Sequence, residues 1–292
     1  MDIVITYVNG LDPVWQQDYE QHTNTPILEK RFRDWGTLRY LFRGIEKNMP
    51  FIKNVFLVVS HNSQIPEWIN RQTVKVVLHS DIIPRDYLPT FNCNPIEMHL
   101  HRIEGLGEEF LYFNDDMFPM LPCSETDFFR QGKGVIGMSH HWFSSNMYKR
   151  ICRNSDRLAR KMSGLSPSCR FLRPQHICSP MLKSVCEELY CKAESEILAS
   201  LTRIRTENDL NQYIYLDYMY LNGHIVNEKI SKKHVSVGLA SESSVKEALL
   251  QPARKLICIN DVHLSEDRYL RLHETILHSF ELVFPQQSKY EK

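Results

Sequence analysis

Four short apolar runs punctuate the first part of the chain: Asp2 to Val8, Val55 to Ser60, Val74 to Leu78 and Phe110 to Phe113. They are rich in β-branched and aromatic residues and nearly continuous, the mark of strands buried on both faces. Between them the period changes. Gly36 to Asn48 spaces Leu38, Leu41, Phe42 and Ile45 as one helical face, with Pro50 just past the stop, and Pro66 to Asn70 reads as a short helical turn. Asn94 then Pro95 predict a cap and a first helical position, with Glu97 three residues after the cap and the helix ending near Ile103, before Gly105 and Gly107. On that helix Glu97 and His101 are four apart and share a face, with Asn94 at the mouth. Strands alternating with helical segments imply right-handed crossovers and a mostly parallel sheet.

Each of these runs gives way to polar residues: Asn9-Gly-Leu-Asp12-Pro, His79-Ser-Asp81 and Asn114-Asp115-Asp116. In open α/β sheets ligands bind beyond the carboxyl ends of the strands, so this rim is the expected site. Beyond about Gly137 the pattern is mainly helical. Met181 to Leu198 predicts one helix, Thr206 and Asp209 the capped start of another, and Lys255 to Ile259 a last strand ending in Asn260-Asp261.

Charge removes one class of function. The 292 residues carry 35 Lys and Arg against 35 Asp and Glu, without the basic excess that neutralises phosphates in a nucleic-acid-binding protein. No apolar run approaches the roughly 20 residues needed to span a bilayer. The start of the chain lacks the basic and cleavage regions of a secretory signal, so a cytoplasmic location is expected. Eight cysteines without a Cys-x-x-Cys pair fit free thiols in a reducing compartment. An irregular zinc set of Cys169, His176, Cys178 and Cys186 is the minor alternative.

Adjacent carboxylates at a strand end suit a hard divalent cation such as Mg²⁺ or Mn²⁺, which takes oxygen ligands and bridges them to phosphates. Asp115 and Asp116 fit that role, and equally an Asx-rich turn. His176, in a loop between Pro174 and Pro180, is placed for proton transfer. Arg203 and Arg205, just before Thr206, suit phosphate if a helix starts there. Arg33, Asp34 and Arg39 flank the first helix start and read either as ligand contacts or as a salt-bridged cap. The order of elements, with acids ending the fourth strand, resembles nucleotide-sugar transferases of the GT-A type. That likeness implies a Rossmann-like nucleotide-sugar-binding half over residues 1–136 and a mainly helical half over 137–292, sharing one active site.

Taken together, Ile3-Val-Ile-Thr-Tyr-Val-Asn-Gly-Leu-Asp-Pro13, Arg33-Asp-Trp-Gly-Thr-Leu-Arg39, Leu88 to Asn94 and Tyr112-Phe-Asn-Asp-Asp-Met-Phe118 resemble the first two signature regions of the Stealth family of sugar-phosphate transferases. His176 to Leu189 with Arg203 to Asp209 is similar to its third region, and Lys255 to Asp261 to its fourth. Two positions depart from the pattern: His176-Ile-Cys stands where His-Thr-Pro is common, and Thr37 where Glu is frequent. The resemblance implies transfer of sugar-1-phosphate from a nucleotide-activated sugar, commonly a UDP-sugar, to a saccharide hydroxyl in capsule or exopolysaccharide synthesis. In that reading Asp115, Asp116 and Asp261 hold Mg²⁺ or Mn²⁺, Arg205 and Arg203 clamp the phosphoryl group, and His176 takes the acceptor proton. Asn9, Asp12 and Arg39 contact the nucleotide, Asn92, Asn94, Glu97 and His101 shape the sugar end, and Asn114 and Asn260 complete the rim. Peripheral membrane association follows only by analogy with polymer-building enzymes. The rival expectations are an ordinary GT-A glycosyltransferase releasing nucleoside diphosphate and a silent nucleotide-sugar-binding protein.

Overall fold

The computed structural model of the chain describes residues 1–27 and 32–292. The predicted strands are present as β1 (Asp2–Thr6), β2 (Asn54–Val59), β3 (Val74–Leu78) and β4 (Glu109–Asn114). A further strand, β10 (Ser179–Leu182), joins them in a five-stranded sheet of order β10-β4-β1-β2-β3. β10 runs antiparallel to β4, with Ser179 opposite Tyr112 and Leu182 opposite Glu109. The chain is thus mixed α/β, as its strand and helix patterns require. Its contacts divide it into two compact units, Met1–Val4 with Val77–Tyr112 and Glu125–Ile230, and Ile5–Val76 with Phe113–Ser124 and Ser231–Lys292.

In the first unit, α3 (Cys93–His99), α4 (Met147–Met162), α5 (Lys183–Ser200) and α6 (Tyr213–Leu221) carry the core. α4 is amphipathic: Ile151, Cys152, Ser155, Leu158 and Ala159 face inward, while Arg150, Arg157 and Lys161 stay in solvent. Asn146 caps it, accepting the Lys149 N–H at 2.9 Å. α6 is buried from Tyr213 through Met219, as a helix apolar all round must be. The antiparallel pair β8 (Met138–His141) and β9 (Phe171–Pro174) brackets α4, and β11 (Ile225–Val226), β7 (Lys133–Val135) and β6 (Phe129–Arg130) form a small sheet.

The second unit holds α1 (Pro13–His22), α2 (Leu38–Asn48), α7 (Glu242–Leu250) and α8 (Glu266–Val283). A three-stranded sheet orders β12 (Lys232–Ser236), β13 (Leu256–Asn260) and β5 (Met117–Pro119). α2 buries Leu38, Leu41, Phe42 and Ile45, the predicted face, and also Arg43. That guanidinium is tolerated because it meets Glu291 at 2.8 Å and the Phe284 carbonyl at 2.7 Å, which replace its lost hydration.

Four local expectations are corrected. The cap of α3 is Asn92, whose side chain accepts the Asn94 N–H at 3.2 Å, so Asn94 lies inside the helix. His101 falls in a separate 3-10 turn, Leu100–Arg102, which breaks the shared face with Glu97. Thr206 and Asp209 do not open a helix: the Thr206 hydroxyl donates to Asp209 at 2.6 Å within a loop, and α6 begins at Tyr213. The same side chains that cap a helix satisfy a turn equally well. Met181 and Leu182 end β10, and α5 starts at Lys183, because pairing with β4 overrides their helical preference. No helix among the described residues is long and apolar enough to cross a membrane.

Candidate active site

In the second unit, the turn from β4 to β5 carries Asn114, Asp115 and Asp116. The Asp116 carbonyl accepts the Ile259 N–H at 2.9 Å, which ties the turn to β13. Its Oδ2 faces the Cys258 thiol at 3.4 Å, while Oδ1 is buried with no hydrogen-bond partner among the described residues. Burial pushes the Asp116 carboxyl up to about 6, a rise that Cys258, the turn's own backbone and Lys232 restrain. Burial, then the neighbouring Asp116 and Asp34, push Asp115 up to about 8. Two hard oxygen donors that resist ionisation together, one with an orphaned buried oxygen, fit a divalent cation.

Asp261 follows the last residue of β13, Asn260. Its Oδ2 accepts the Trp35 indole N–H at 3.0 Å and lies 3.7 Å from the Arg33 guanidinium, which itself sits 4.4 Å over the Tyr269 ring. Asp34 bonds the Tyr7 hydroxyl and the Gly36 N–H, both at 2.8 Å. A cleft of about 250 Å³ opens among Tyr7, Asn9, Asp34, Ser63, Gln64 and Trp68. Gln64 shapes its floor, accepting the Asn9 N–H at 2.6 Å and donating to the Asn9 carbonyl and to Asp12. Burial works against the ionised Asp12, but hydrogen bonds from Ser63, Gln64 and the Val14 N–H outweigh it and hold the carboxyl below its usual range. The Asp12 carboxylate is therefore engaged by its own loop. Arg39 lies 5.4 Å over the Trp68 ring.

The first unit gathers a second set of predicted residues. Asp209 is a buried acceptor hub, taking hydrogens from Asn92 at 2.7 Å, Asn94 at 2.9 Å, Thr202 at 2.9 Å and Thr206 at 2.6 Å. Asn92 and Asn94 are thus spent on holding the 202–209 loop against α3. That loop presents Arg205 to Cys93 and Glu97. Glu97 is buried, its oxygens accepting the Gln212 N–H at 3.0 Å and the Tyr112 hydroxyl at 3.3 Å. Burial raises its carboxyl, opposed by Gln212 and Arg205, and burial pushes the Cys93 thiol up to about 12. Arg203 is exposed, and its carbonyl accepts the Phe91 N–H at 2.9 Å. The helix that the sequence predicted at Thr206 does not form, and Arg205 instead meets Cys93, the first residue of α3.

One residue beyond Gln212, the Tyr213 hydroxyl lies 3.2 Å from His176 Nδ1 and accepts from Tyr148 at 2.9 Å. Glu97 and His176 are thereby held by consecutive residues of one strap. His101 belongs elsewhere: buried between Tyr190 and Tyr215, it is pushed down to about 3 by burial, with help from His99, Arg102 and Lys183. It is a neutral core histidine. Sequence reading missed Tyr213, Cys93 and Lys232, since an aromatic at helical spacing, a lone thiol and a strand lysine carry no local mark of a site.

Stealth conserved region 2 matches residues 31–136. A capsular polysaccharide phosphotransferase of Haemophilus influenzae is 32% identical, covering 92% of this chain and 80% of that protein. A capsular polysaccharide phosphotransferase of Streptococcus pneumoniae is 29% identical over 100% and 99%, and an exopolysaccharide phosphotransferase of Lactiplantibacillus plantarum 29% over 100% and 96%. The chain belongs to the Stealth family of polysaccharide phosphotransferases, and it is an enzyme. Among solved structures, the galactosyltransferase LgtC aligns over 99% of this chain with a TM-score of 0.39 and 9% identity, too distant to carry an argument.

Proposed function

We propose that the enzyme transfers sugar-1-phosphate from a UDP-sugar to a saccharide hydroxyl, in the cytoplasm, building a phosphodiester-linked capsule or exopolysaccharide. The observation that carries this reading is the half-buried Asp116, whose Oδ1 is buried with no hydrogen-bond partner among the described residues, beside an Asp115 pushed up to about 8.

Asp115 and Asp116, joined by Asp261, would hold Mg²⁺ or Mn²⁺. When bound, such an ion offsets the charge of the donor diphosphate. His176 takes the proton from the acceptor hydroxyl. The acceptor oxygen forms a bond to the phosphorus nearest the sugar, and the bond from that phosphorus to the bridging oxygen breaks, so that nucleoside monophosphate leaves. Arg205, steadied by Glu97, stabilises the charge that develops on the phosphoryl oxygens. The cleft lined by Asn9 and Trp68 receives the nucleotide, with Arg39 behind the indole and Asp12 shaping the loop. Asn92 and Asn94 act through Asp209, and Asn114, Asn260 and Arg203 border the acid turn and the arginine loop.

The test is a screen of nucleotide sugars with Mg²⁺ and a saccharide acceptor, scoring the nucleotide released. Nucleoside monophosphate with a phosphodiester signal in phosphorus NMR supports the reading. Nucleoside diphosphate with a glycosidic bond refutes it, and binding without turnover points to a silent binding protein.

A further inference from the structure

Nine large apolar side chains stand exposed among the described residues, and four of them, Trp142, Phe143, Met147 and Leu165, fall within one stretch of the first unit. Phe143 is 81% exposed and Trp142 54%. Residues 139–173, which contain that stretch, carry eight Lys and Arg against one acid, Asp156, in a chain with 35 charges of each sign. Asp156 is buried and bound to Arg160 at 2.9 Å, so this pair cancels and the stretch keeps seven further Lys and Arg with no other acid of its own.

The fold assembles these residues into a surface. His141 pairs with Phe171 in the β8–β9 register, which sets Trp142 beside Arg170 at the end of the pair, the guanidinium 4.9 Å over the indole. Arg150, Arg157 and Lys161, spaced seven and four apart, share the outer face of α4. Arg150 and Lys161 are tempered by Glu207 and Glu196 at the surface. On the inner face of α4, the Tyr148 ring lies 6.2 Å from that of His176, so this surface and the candidate base are two sides of one helix end.

We propose that the 139–173 face docks on an anionic phospholipid bilayer, Trp142 and Phe143 entering the interface while Arg157, Arg170 and their neighbours meet the headgroups. Charge complementarity and apolar tips are the two signals that stable interfacial binding needs. The side chains of Phe143, Met147 and Leu165 have no polar handle. They gain from hydrocarbon and nothing from the hydroxyls of a polyanionic glycan, the competing occupant.

The experiment is sedimentation of the full chain with vesicles of phosphatidylcholine mixed with phosphatidylglycerol, against phosphatidylcholine alone. The expected result is binding to the anionic vesicles only, lost at high salt. Arg157→Glu with Arg170→Glu weakens it at least about 25-fold, about fivefold for each arginine. Phe143→Ser also weakens it, and both variants keep the wild-type circular dichroism and wild-type turnover of a soluble donor. Failure to bind anionic vesicles at low salt, binding unchanged in the variants, or capture by polyphosphate in place of vesicles each overturns the proposal. Vesicle binding is read without turnover, so it stands or falls separately from the assigned reaction.

Discussion

His176 Nδ1 lies 3.2 Å from the hydroxyl of Tyr213, a residue buried at the first turn of α6. In the proposed reaction this contact orients the imidazole. Tyr213→Phe is expected to lower kcat about tenfold with the donor KM unchanged and to alter the nitrogen chemical shifts of His176. His176→Ala is expected to cost roughly 10² to 10⁴ in turnover, the range of a lost general base. Steady-state kinetics of the two variants decide the matter, and a Tyr213→Phe enzyme with wild-type kcat removes the positioning role.

The acid turn predicts a dependence on divalent cation. Chelation of the purified enzyme abolishes turnover, and Mg²⁺ or Mn²⁺ restores it. Asp116→Asn keeps the fold yet loses about 10²-fold or more, the equivalent of several kcal/mol of charge stabilisation. Calorimetric titration with Mn²⁺ separates lost cation affinity from lost turnover.

Asp209 is expected to matter for stability through the four side chains that donate to it. Asp209→Ala leaves those donors unpaired in a buried place and costs about 3 kcal/mol or more, read by urea unfolding. The loss of the 202–209 loop carries Arg205 with it, so turnover falls as well.

Asp217 is 0% exposed on α6, and neither carboxyl oxygen has a hydrogen-bond partner among the described residues. Burial, then Asp156, raises its carboxyl well above the ordinary value. The folded state therefore holds a proton that the unfolded chain releases near pH 4, and stability from this group falls as pH rises above that point. Asp217→Asn removes the slope. Its stability relative to wild type improves as pH rises from 5 to 8, measured by urea denaturation at both values. A variant whose relative stability is flat with pH contradicts a buried neutral acid.

Trp68 borders the cleft beside Asn9. Trp68→Ala is expected to raise the donor KM about tenfold, the scale of one lost base-stacking contact, and to leave kcat near wild type. An unchanged KM places the nucleotide elsewhere.

Strands β1 to β4, the amphipathic α2 and the acid turn at Asp115 and Asp116 were legible in the sequence, because short β-branched runs, a 3.6-residue period and a polar strand end are local patterns imposed by backbone geometry. The family resemblance was legible too, in several motifs taken together. What the tertiary structure decided is where the polar groups go. Asn92, Asn94 and Thr206 carry the residue types of a capped helix or a sugar site, yet they meet at Asp209. His101 has the residue type of a ligand, yet two tyrosines bury it. The partners of His176, Arg205 and Asp116, namely Tyr213, Cys93 and Cys258, lie 37, 112 and 142 residues away in the chain. Hydrogen bonding and burial act through space, and a pattern of neighbours along the chain records neither.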